Sequence, residues 1–322
     1  MLDRKRGALM GLAVGDALGA AVEFFPPAVL QRRPVRGYQP GSPHGIRPGE
    51  WTDDTSLALA LADSITCAGW DLNDQMRRYL SWRDQGQYSV IGRCFDIGVT
   101  TCSSLQRFKA SGDARASGDK DEYSSGNGSL MRLAPVPIRY AHLFPDRLEE
   151  LSRLAAESSL TTHATEQCLS ACRYLALLLC ALIYGVDREE MLAVDAARDW
   201  VPLQRLQQVA PLHPRIAEIA EGSFRRKEPP EIRGTGYVVD SLEAALWAFH
   251  RAGDFREAVL RAVNLGNDAD TTGAVCGQLA GACWGESGIP LEWRDGLARR
   301  DMIERALEGL LSPVRRGGEE SE

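Results

Sequence analysis

The stretch Asn264-Leu265-Gly266-Asn267-Asp268-Ala269-Asp270-Thr271-Thr272-Gly273 sets two carboxylates two positions apart and follows them with two hydroxyls. A helical pattern continues from about Thr271 to Gly285, so Asp268 and Asp270 fall at a loop-to-helix junction. Backbone N–H groups there have no helical partner, and Asp or Thr oxygens commonly accept them as N-caps. That accounts for one acid more readily than for two. A second junction of the same kind, Trp51-Thr52-Asp53-Asp54-Thr55-Ser56, precedes the apolar run Leu57 to Ile65. If the two junctions meet, their carboxylates repel. At ~4 Å and an effective dielectric of ~20, each like-charged pair costs about 4 kcal/mol, so such a cluster needs protons or cations between its members. Carboxylates, hydroxyls and water suit hard divalent ions such as Mg2+ or Mn2+. Neither cluster contains His or Cys, which argues against zinc.

Two glycine-rich helices are candidates for bringing these groups together. Residues 3–23 read as a helix with Gly7, Gly11, Gly15 and Gly19, and the helix after Asp270 carries Gly273, Gly277, Gly281 and Gly285. An interior glycine costs about 1 kcal/mol relative to alanine. Residues four apart form one ridge of a helix, and a ridge of bare backbone permits close approach. The two rows therefore predict helices at the centre of the fold. Packed on each other, they would bring Glu23 into the neighbourhood of Asp268 and Asp270.

Residues 25–50 are rich in Pro, Gly and Arg and read as a long loop, a wall or lid of a pocket, with His44 as a solvated loop histidine. Residues 54–68 and 71–84 read as a helical hairpin broken at Gly69, and Tyr88 to Lys109 as one further helix or two short ones. Asp96 lies there between Phe95 and Ile97; an acid in that setting is either a partnered structural group or one with a raised pKa. Residues 110–127 are polar and read as a mobile surface loop. It leads into Gly126-Asn127-Gly128-Ser129, which is either a plain turn or a place where glycines let backbone N–H groups approach an anion. Residues 146–158 and 165–184 read as helices, the second apolar nearly all round and hence buried, with His163 in the turn before it. Further helices are expected over 187–223, 238–252, 255–263 and 298–311. No run alternates with period two, so the pattern is all-α. Residues 1–311 read as one domain and 312–322 as a disordered tail.

Six segments, in order, carry a resemblance. They are Gly15-Asp16-Ala17-Leu18-Gly19 with Glu23, Thr52-Asp53-Asp54-Thr55, Gly92-Arg93-Cys94-Phe95-Asp96-Ile97-Gly98, Gly126-Asn127-Gly128-Ser129-Leu130-Met131-Arg132, Thr162-His163-Ala164-Thr165, and Asn264 to Gly273. Over roughly residues 7–285 the chain resembles the ADP-ribosylglycohydrolase family, in particular the branch of the dinitrogenase reductase-activating glycohydrolases. The resemblance implies a compact orthogonal bundle of helices with a central cleft, two Mg2+ or Mn2+ ions, and cleavage of the N-glycosidic bond between ADP-ribose and a side chain. It implies Thr52, Asp53, Asp54, Asp268, Asp270 and Thr271 as metal ligands, and Asp96 or Glu23 as the acid that protonates the leaving group. Gly126, Asn127, Gly128 and Ser129 would cradle the distal ribose and diphosphate. His163 would touch the ligand near the diphosphate or adenosine, against the alternative of a helix-cap turn. Tyr237 would border the pocket, against the alternative of a core tyrosine. Arginine is the favoured acceptor, with serine, a nucleobase and a free metabolite left open. A two-metal phosphoesterase acting on a nucleotide diphosphate would use the same ions against phosphorus.

Composition sets the outer bounds. The chain has 322 residues, 44% of them hydrophobic and 25% charged, an ordinary soluble globular balance. A net charge of −7 argues against a nucleic-acid surface. The start, Met1-Leu2-Asp3-Arg4-Lys5-Arg6-Gly7, is charged and does not read as a secretory signal, and the longest apolar run, Tyr174 to Tyr184, is too short to span a bilayer. Eight cysteines form no Cys-x-x-Cys pair and read as small buried residues of a reduced cytoplasm. The expectation is a cytoplasmic monomer that takes an ADP-ribosylated protein as substrate, releases ADP-ribose, and has no membrane or nucleic-acid partner.

Overall fold

A computed structural model describes residues 1–193 and 195–313. Its longer helices are α1 (Leu2–Gly19), α2 (Asp53–Ala68), α3 (Leu72–Gln85), α4 (Val99–Ser111), α5 (Leu148–Leu160), α6 (Glu166–Tyr184), α7 (Val201–Val209), α8 (Val238–His250), α9 (Phe255–Val263), α10 (Ala269–Trp284) and α11 (Arg300–Leu311). Among the described residues there is no strand, only isolated bridges at Asp119–His163 and Gly126–Tyr237. The class is all-α, as the absence of alternating runs predicts.

The centre of the molecule is the antiparallel seam between α1 and α10. Gly7 faces the backbone of Gly281 and Gly285, Gly11 that of Gly277, Gly15 that of Gly273, and Gly19 that of Ala269 and Asp270. A Cβ at any of these α1 positions would overlap the facing main chain, so the two helices touch backbone to backbone. Everything in α1 from Gly7 to Gly19 is buried. The seam ends at the first turn of α10, which fixes where the chain leaves α1. Glu23 therefore emerges beside Asp268 and Asp270.

The start of α2 is fastened to the same end of the seam. Asp16, buried in α1, accepts the backbone N–H of Thr52 (2.9 Å) and of Thr55 (3.0 Å) and the Thr55 hydroxyl (2.6 Å). One helix thus supplies the cap of another. Helix α6 is longer than the apolar run seen in the sequence. By length and composition it could cross a membrane, but it is packed inside the protein. All eight cysteines are free.

Three segments differ from their sequence reading. Helix α1 stops at Gly19 rather than running to residue 23, because the chain turns to pair with Asn267: Phe24 N–H donates to Asn267 O (2.6 Å) and Asn267 N–H to Phe25 O (2.8 Å). Residues 88–98 are not helical. Gly92 and Asp96 sit in the left-handed region, at φ 72° and 59°, which interrupts a right-handed helix, and α4 begins only at Val99. The polar segment 110–127 is tethered: Ala114 and Ser117 are buried, Arg107 donates to Ser117 O (2.7 Å), and the Asp119 backbone pairs with Thr162 and Ala164. Of the expected tail, Ser312 still bonds back to Glu308 O (3.1 Å), and residues 314–322 lie outside the described residues.

Candidate active site

Neither acidic junction caps its own helix. Thr52 and Asp268 occupy the N-cap positions of α2 and α10, yet neither side chain accepts an N–H from its own first turn. For α2 that task falls to Asp16. Asp268 is held instead by Asn127, whose amide donates to Asp268 Oδ2 (2.7 Å), and by its own N–H to Gly234 O (2.9 Å). The side-chain oxygens are free to face one another, and they do. Thr52 Oγ1 lies 3.2 Å from Asp54 Oδ2 and 3.3 Å from Asp270 Oδ2, and Thr271 Oγ1 lies 3.3 Å from Asp54 Oδ2. Asp53, Asp268, Asp270 and Thr271 line a cleft of about 720 Å³. Thr52 and Asp54 are buried without lining it.

This cluster is electrostatically incomplete. Asp54 Oδ1 and Asp270 Oδ1 are buried with no hydrogen-bond partner, a costly state for a carboxylate. Burial first, and then the neighbouring acids, push Asp53, Asp54 and Asp270 well above the usual carboxylate range. Orphaned oxygens among hard donors fit a hard divalent cation, and the group that brings single ligand oxygens close enough to share one is Glu23, Asp268 and Asp270.

Glu23 joins the cluster from the end of α1. Single oxygens of Glu23, Asp268 and Asp270 lie within 4.8 Å of one another, and Glu23, His44 and Asp96 form a second such group. His44 is not the solvated loop residue that its surroundings in the sequence predict. Its Nε2 bonds Glu23 and stands 3.4 Å from Asp96 Oδ2. The loop is drawn back over the protein by Val35 N–H to Asn264 Oδ1 (2.7 Å), Tyr38 OH to Trp293 O (2.9 Å) and Trp51 Nε1–H to Ala298 O (3.1 Å). The hydrogen bond to Glu23 holds the His44 pKa above its ordinary value. Burial and the Glu23 charge push Asp96 up to about 8, with His44 acting in the opposite sense. Asp96 thus has both a neighbouring partner in His44 and a pKa raised by burial.

The facing wall comes from Gly126, Asn127, Gly128 and His163. Arg132, fully buried, organises it: its guanidinium donates to Gly128 O (2.7 Å), Ser158 O (3.2 Å) and Thr162 Oγ1 (2.8 Å) and lies over the Tyr79 ring. The Thr162 hydroxyl accepts from Arg132 and shares a second hydrogen bond with His163 Nδ1 (2.8 Å), which fixes the orientation of the ring. Burial and the Arg132 charge push His163 down to about 3, so it stays neutral. A Cβ at Gly128 would come 2.7 Å from the His163 ring, which is why glycine stands there.

The remaining residues singled out in the sequence are placed differently from one another. Asn127 lines the cleft, but its amide and N–H are already engaged, with Asp268 and with Gly236 O (3.0 Å). Ser129 is buried and accepts from the Ser159 hydroxyl (2.7 Å); it is not among the cleft-lining residues. Tyr237 bonds Gln167 through its hydroxyl and borders a second depression of about 420 Å³ with Tyr123, His213 and Arg215, next to the Gly126–Tyr237 bridge. Sequence reasoning gave no role to Asp16 or Arg132. An acid inside a buried glycine-rich helix was the available signal for the first. For Arg132 there was none beyond its place in a segment of resemblance.

An all-helical protein whose cleft gathers carboxylates from two helix starts, with a neutral histidine and glycine backbone opposite, is built as a hydrolase of nucleotide-like ligands. The chain belongs to the ADP-ribosylglycohydrolase family, whose sequence profile matches residues 1–319, and it is an enzyme of that family. It is 38% identical to the ADP-ribosylarginine hydrolase Tri1 of Serratia proteamaculans (strain 568), over 96% of this chain and 79% of that protein. With the Tri1 of Pseudomonas putida (strain GB-1) it shares 39% identity, over 96% of this chain and 78% of that one. Identity to the ADP-ribosyl-[dinitrogen reductase] glycohydrolase of Rhodospirillum rubrum is 30%, over 96% of each chain, so within the family the two Tri1 proteins are more similar to it. A solved structure described as an ADP-ribosylglycohydrolase-related protein complex superposes with a TM-score of 0.80 at 43% identity, covering 96% of this chain and 97% of the other.

Proposed function

We propose that this enzyme removes ADP-ribose from arginine side chains of proteins by hydrolysing the bond between ribose C1 and the guanidine nitrogen, with divalent cations in the carboxylate cluster. Two relatives at 38 and 39% identity are named as ADP-ribosylarginine hydrolases, which supports the acceptor. The observation that carries the cation is the pair of buried, unpartnered oxygens on Asp54 and Asp270 within a set of hard donors. Thr52, Asp53, Asp54, Asp268, Asp270 and Thr271 would hold two Mg2+ or Mn2+ ions. When bound, such ions supply the Lewis acidity that makes water a nucleophile at neutral pH.

The chain's own residues have the remaining work. C1–N cleavage develops positive charge on the ribose ring and negative charge on the leaving group. Asp96, with its pKa raised to about 8, still holds a proton at neutral pH and gives it to the departing nitrogen. Water then adds to C1 and its proton returns to the carboxylate. Glu23, at the inner edge of the same cleft, is the second candidate for that proton. On the opposite wall the His163 ring and the Gly126–Gly128 backbone would face the diphosphate.

A release assay tests this on arginine-, serine- and DNA-linked ADP-ribose, with Mg2+, with Mn2+ and with chelator. The expected result is intact ADP-ribose from the arginine conjugate, abolished by chelation. AMP as product would instead mean phosphoester cleavage, and release from serine alone would reassign the acceptor.

A further inference from the structure

Phe24 is the anomaly at the mouth of the cleft. It follows Glu23 directly and lines the cleft, yet it is 65% exposed in a chain that buries most of its large apolar residues. Its backbone is left-handed, at φ 65°, which is uncommon for a bulky L-residue. The facing residue, Asn267, is left-handed as well, at φ 56°. The two are locked by the reciprocal pair Phe24 N–H to Asn267 O (2.6 Å) and Asn267 N–H to Phe25 O (2.8 Å). Strain of this kind persists where the surroundings over-determine it, and it gathers at ligand clamps. The ring contributes little to the core in return. It meets the His44 ring in a T-shaped contact, centroids 6.2 Å apart, and lines the cleft.

What lies beside it narrows the ligand. Glu23, its neighbour in sequence, lines the same cleft and supplies a carboxylate. An aromatic face and a carboxylate in one cleft suit a planar, weakly hydrated cation: the ring takes the flat face and the carboxylate takes the N–H edge. A serine hydroxyl has neither a flat face nor a charge.

We propose that Phe24 is a specificity-determining residue, its ring stacking on the guanidinium of the ADP-ribosylated arginine while Glu23 accepts from the N–H edge and Asp96 is left to protonate the departing nitrogen. This rests on the arginine reading above and goes beyond it by naming the residue that recognises the acceptor.

The test is steady-state kinetics of wild type, Phe24→Leu and Phe24→Trp on an ADP-ribosylarginine peptide, with calorimetric titration of free ADP-ribose. Leucine keeps apolar bulk and removes the π face; tryptophan restores it. Phe24→Leu is expected to raise KM for the arginine peptide roughly tenfold, with Phe24→Trp near wild type and ADP-ribose affinity unchanged in both. An unchanged KM in Phe24→Leu, or an equal loss of ADP-ribose affinity, overturns the proposal while leaving the arginine reading in place. A wild-type enzyme that releases nothing from the arginine peptide overturns both. Phe24→Gly gives a second, independent readout. Glycine relieves the left-handed backbone, so Tm should rise while KM for the arginine peptide also rises. A fall in Tm would mean that the ring supports the fold, and would count against a ligand role.

Discussion

The seam between α1 and α10 and the cleft at its end share the first turn of α10, yet they are opposite in kind. Along the seam the contact is bare backbone, uncharged and dry, and Gly15 meets Gly273 with no room for a methyl group. One residue further along α1, Asp16 is a buried carboxylate, and three residues before Gly273 stands Asp270, buried with an unpartnered oxygen. Around the cleft Phe24, Asp96 and Asn267 all take left-handed backbone, whereas no residue of the seam does between Gly7 and Gly19 or between Gly273 and Gly281. The seam supplies stability and the cleft consumes it, in strain and in gathered like charge. Their adjacency is the design: a rigid dry contact is what can hold several carboxylates together before any cation arrives.

If that contrast is right, substitutions should separate cleanly. Gly277→Ala adds one methyl group against the Gly11 carbonyl, where main chain cannot give way. Helix propensity alone favours alanine by about 1 kcal/mol. The expected outcome is nevertheless a loss of about 3 kcal/mol in chemical denaturation, because overpacking against backbone outweighs propensity. Asp96→Asn should behave the other way. It imitates the neutral acid, so Tm should hold near neutral pH and exceed the wild-type value above about pH 8, while turnover falls by about 10²–10⁴-fold with ADP-ribose affinity retained. A variant of Asp96 that melts early but keeps its turnover would place this residue on the structural side of the divide. If turnover survived in Asp96→Asn and vanished in Glu23→Gln, the proton would belong to Glu23.

The pH dependence of stability should sharpen the contrast further. Asp53, Asp54 and Asp270 are raised well above the usual carboxylate range and Asp96 to about 8, so the cation-free folded protein keeps protons that the unfolded chain has shed. Stability then falls as pH rises, from the ordinary carboxylate region near ~4 up through about 8. Above the range in which the neutral, buried His163 acts in the opposite sense, thermal melts with chelator from pH 6.5 to pH 8 should show a falling Tm, and millimolar Mg2+ should restore it most at the high end. A Tm in chelator that is flat or climbing over this range would mean that the acids do not repel one another as their geometry requires.

Much of this was readable in the sequence, and the reasons are local. Asp53, Asp54, Asp268 and Asp270 sit at helix starts marked by hydroxyls and apolar runs, and the glycine rows announce themselves by a period of four. The helix from 255 to 263 matches its pattern because its periodicity is undisturbed. What could not be read depends on how the chain returns from a distance. His44 meets Glu23 only because residues 35, 38 and 51 are pinned to segments more than two hundred residues away. Asp96 looked helical because Phe95 and Ile97 carry an apolar pattern, while the left-handed turns at Gly92 and Asp96 leave no trace in periodicity. Ser129 is expected in the cradle with its neighbouring glycines, but its hydroxyl turns inward to Ser159.

Asp16 belongs to both regions, and it is the most delicate test of the divide. Its carboxylate caps α2, yet burial outweighs those hydrogen bonds and raises its pKa to about 6. The ionised form is therefore the less favourable one in the folded protein, and a raised carboxyl pKa means stability lost as pH climbs through about 6. Asp16→Asn imitates the neutral acid. Its unfolding free energy should stay within about 1 kcal/mol of wild type at pH 5 and should exceed the wild-type value in chelator as pH rises. Cation affinity, measured by titration calorimetry with Mn2+, should nevertheless weaken about tenfold, because one negative charge is gone and the Thr52 turn loses part of its anchor. A loss of several kcal/mol at every pH would instead make Asp16 a member of the seam, holding α2 in place whatever its charge; unchanged Mn2+ affinity would make it a bystander to the cluster it touches.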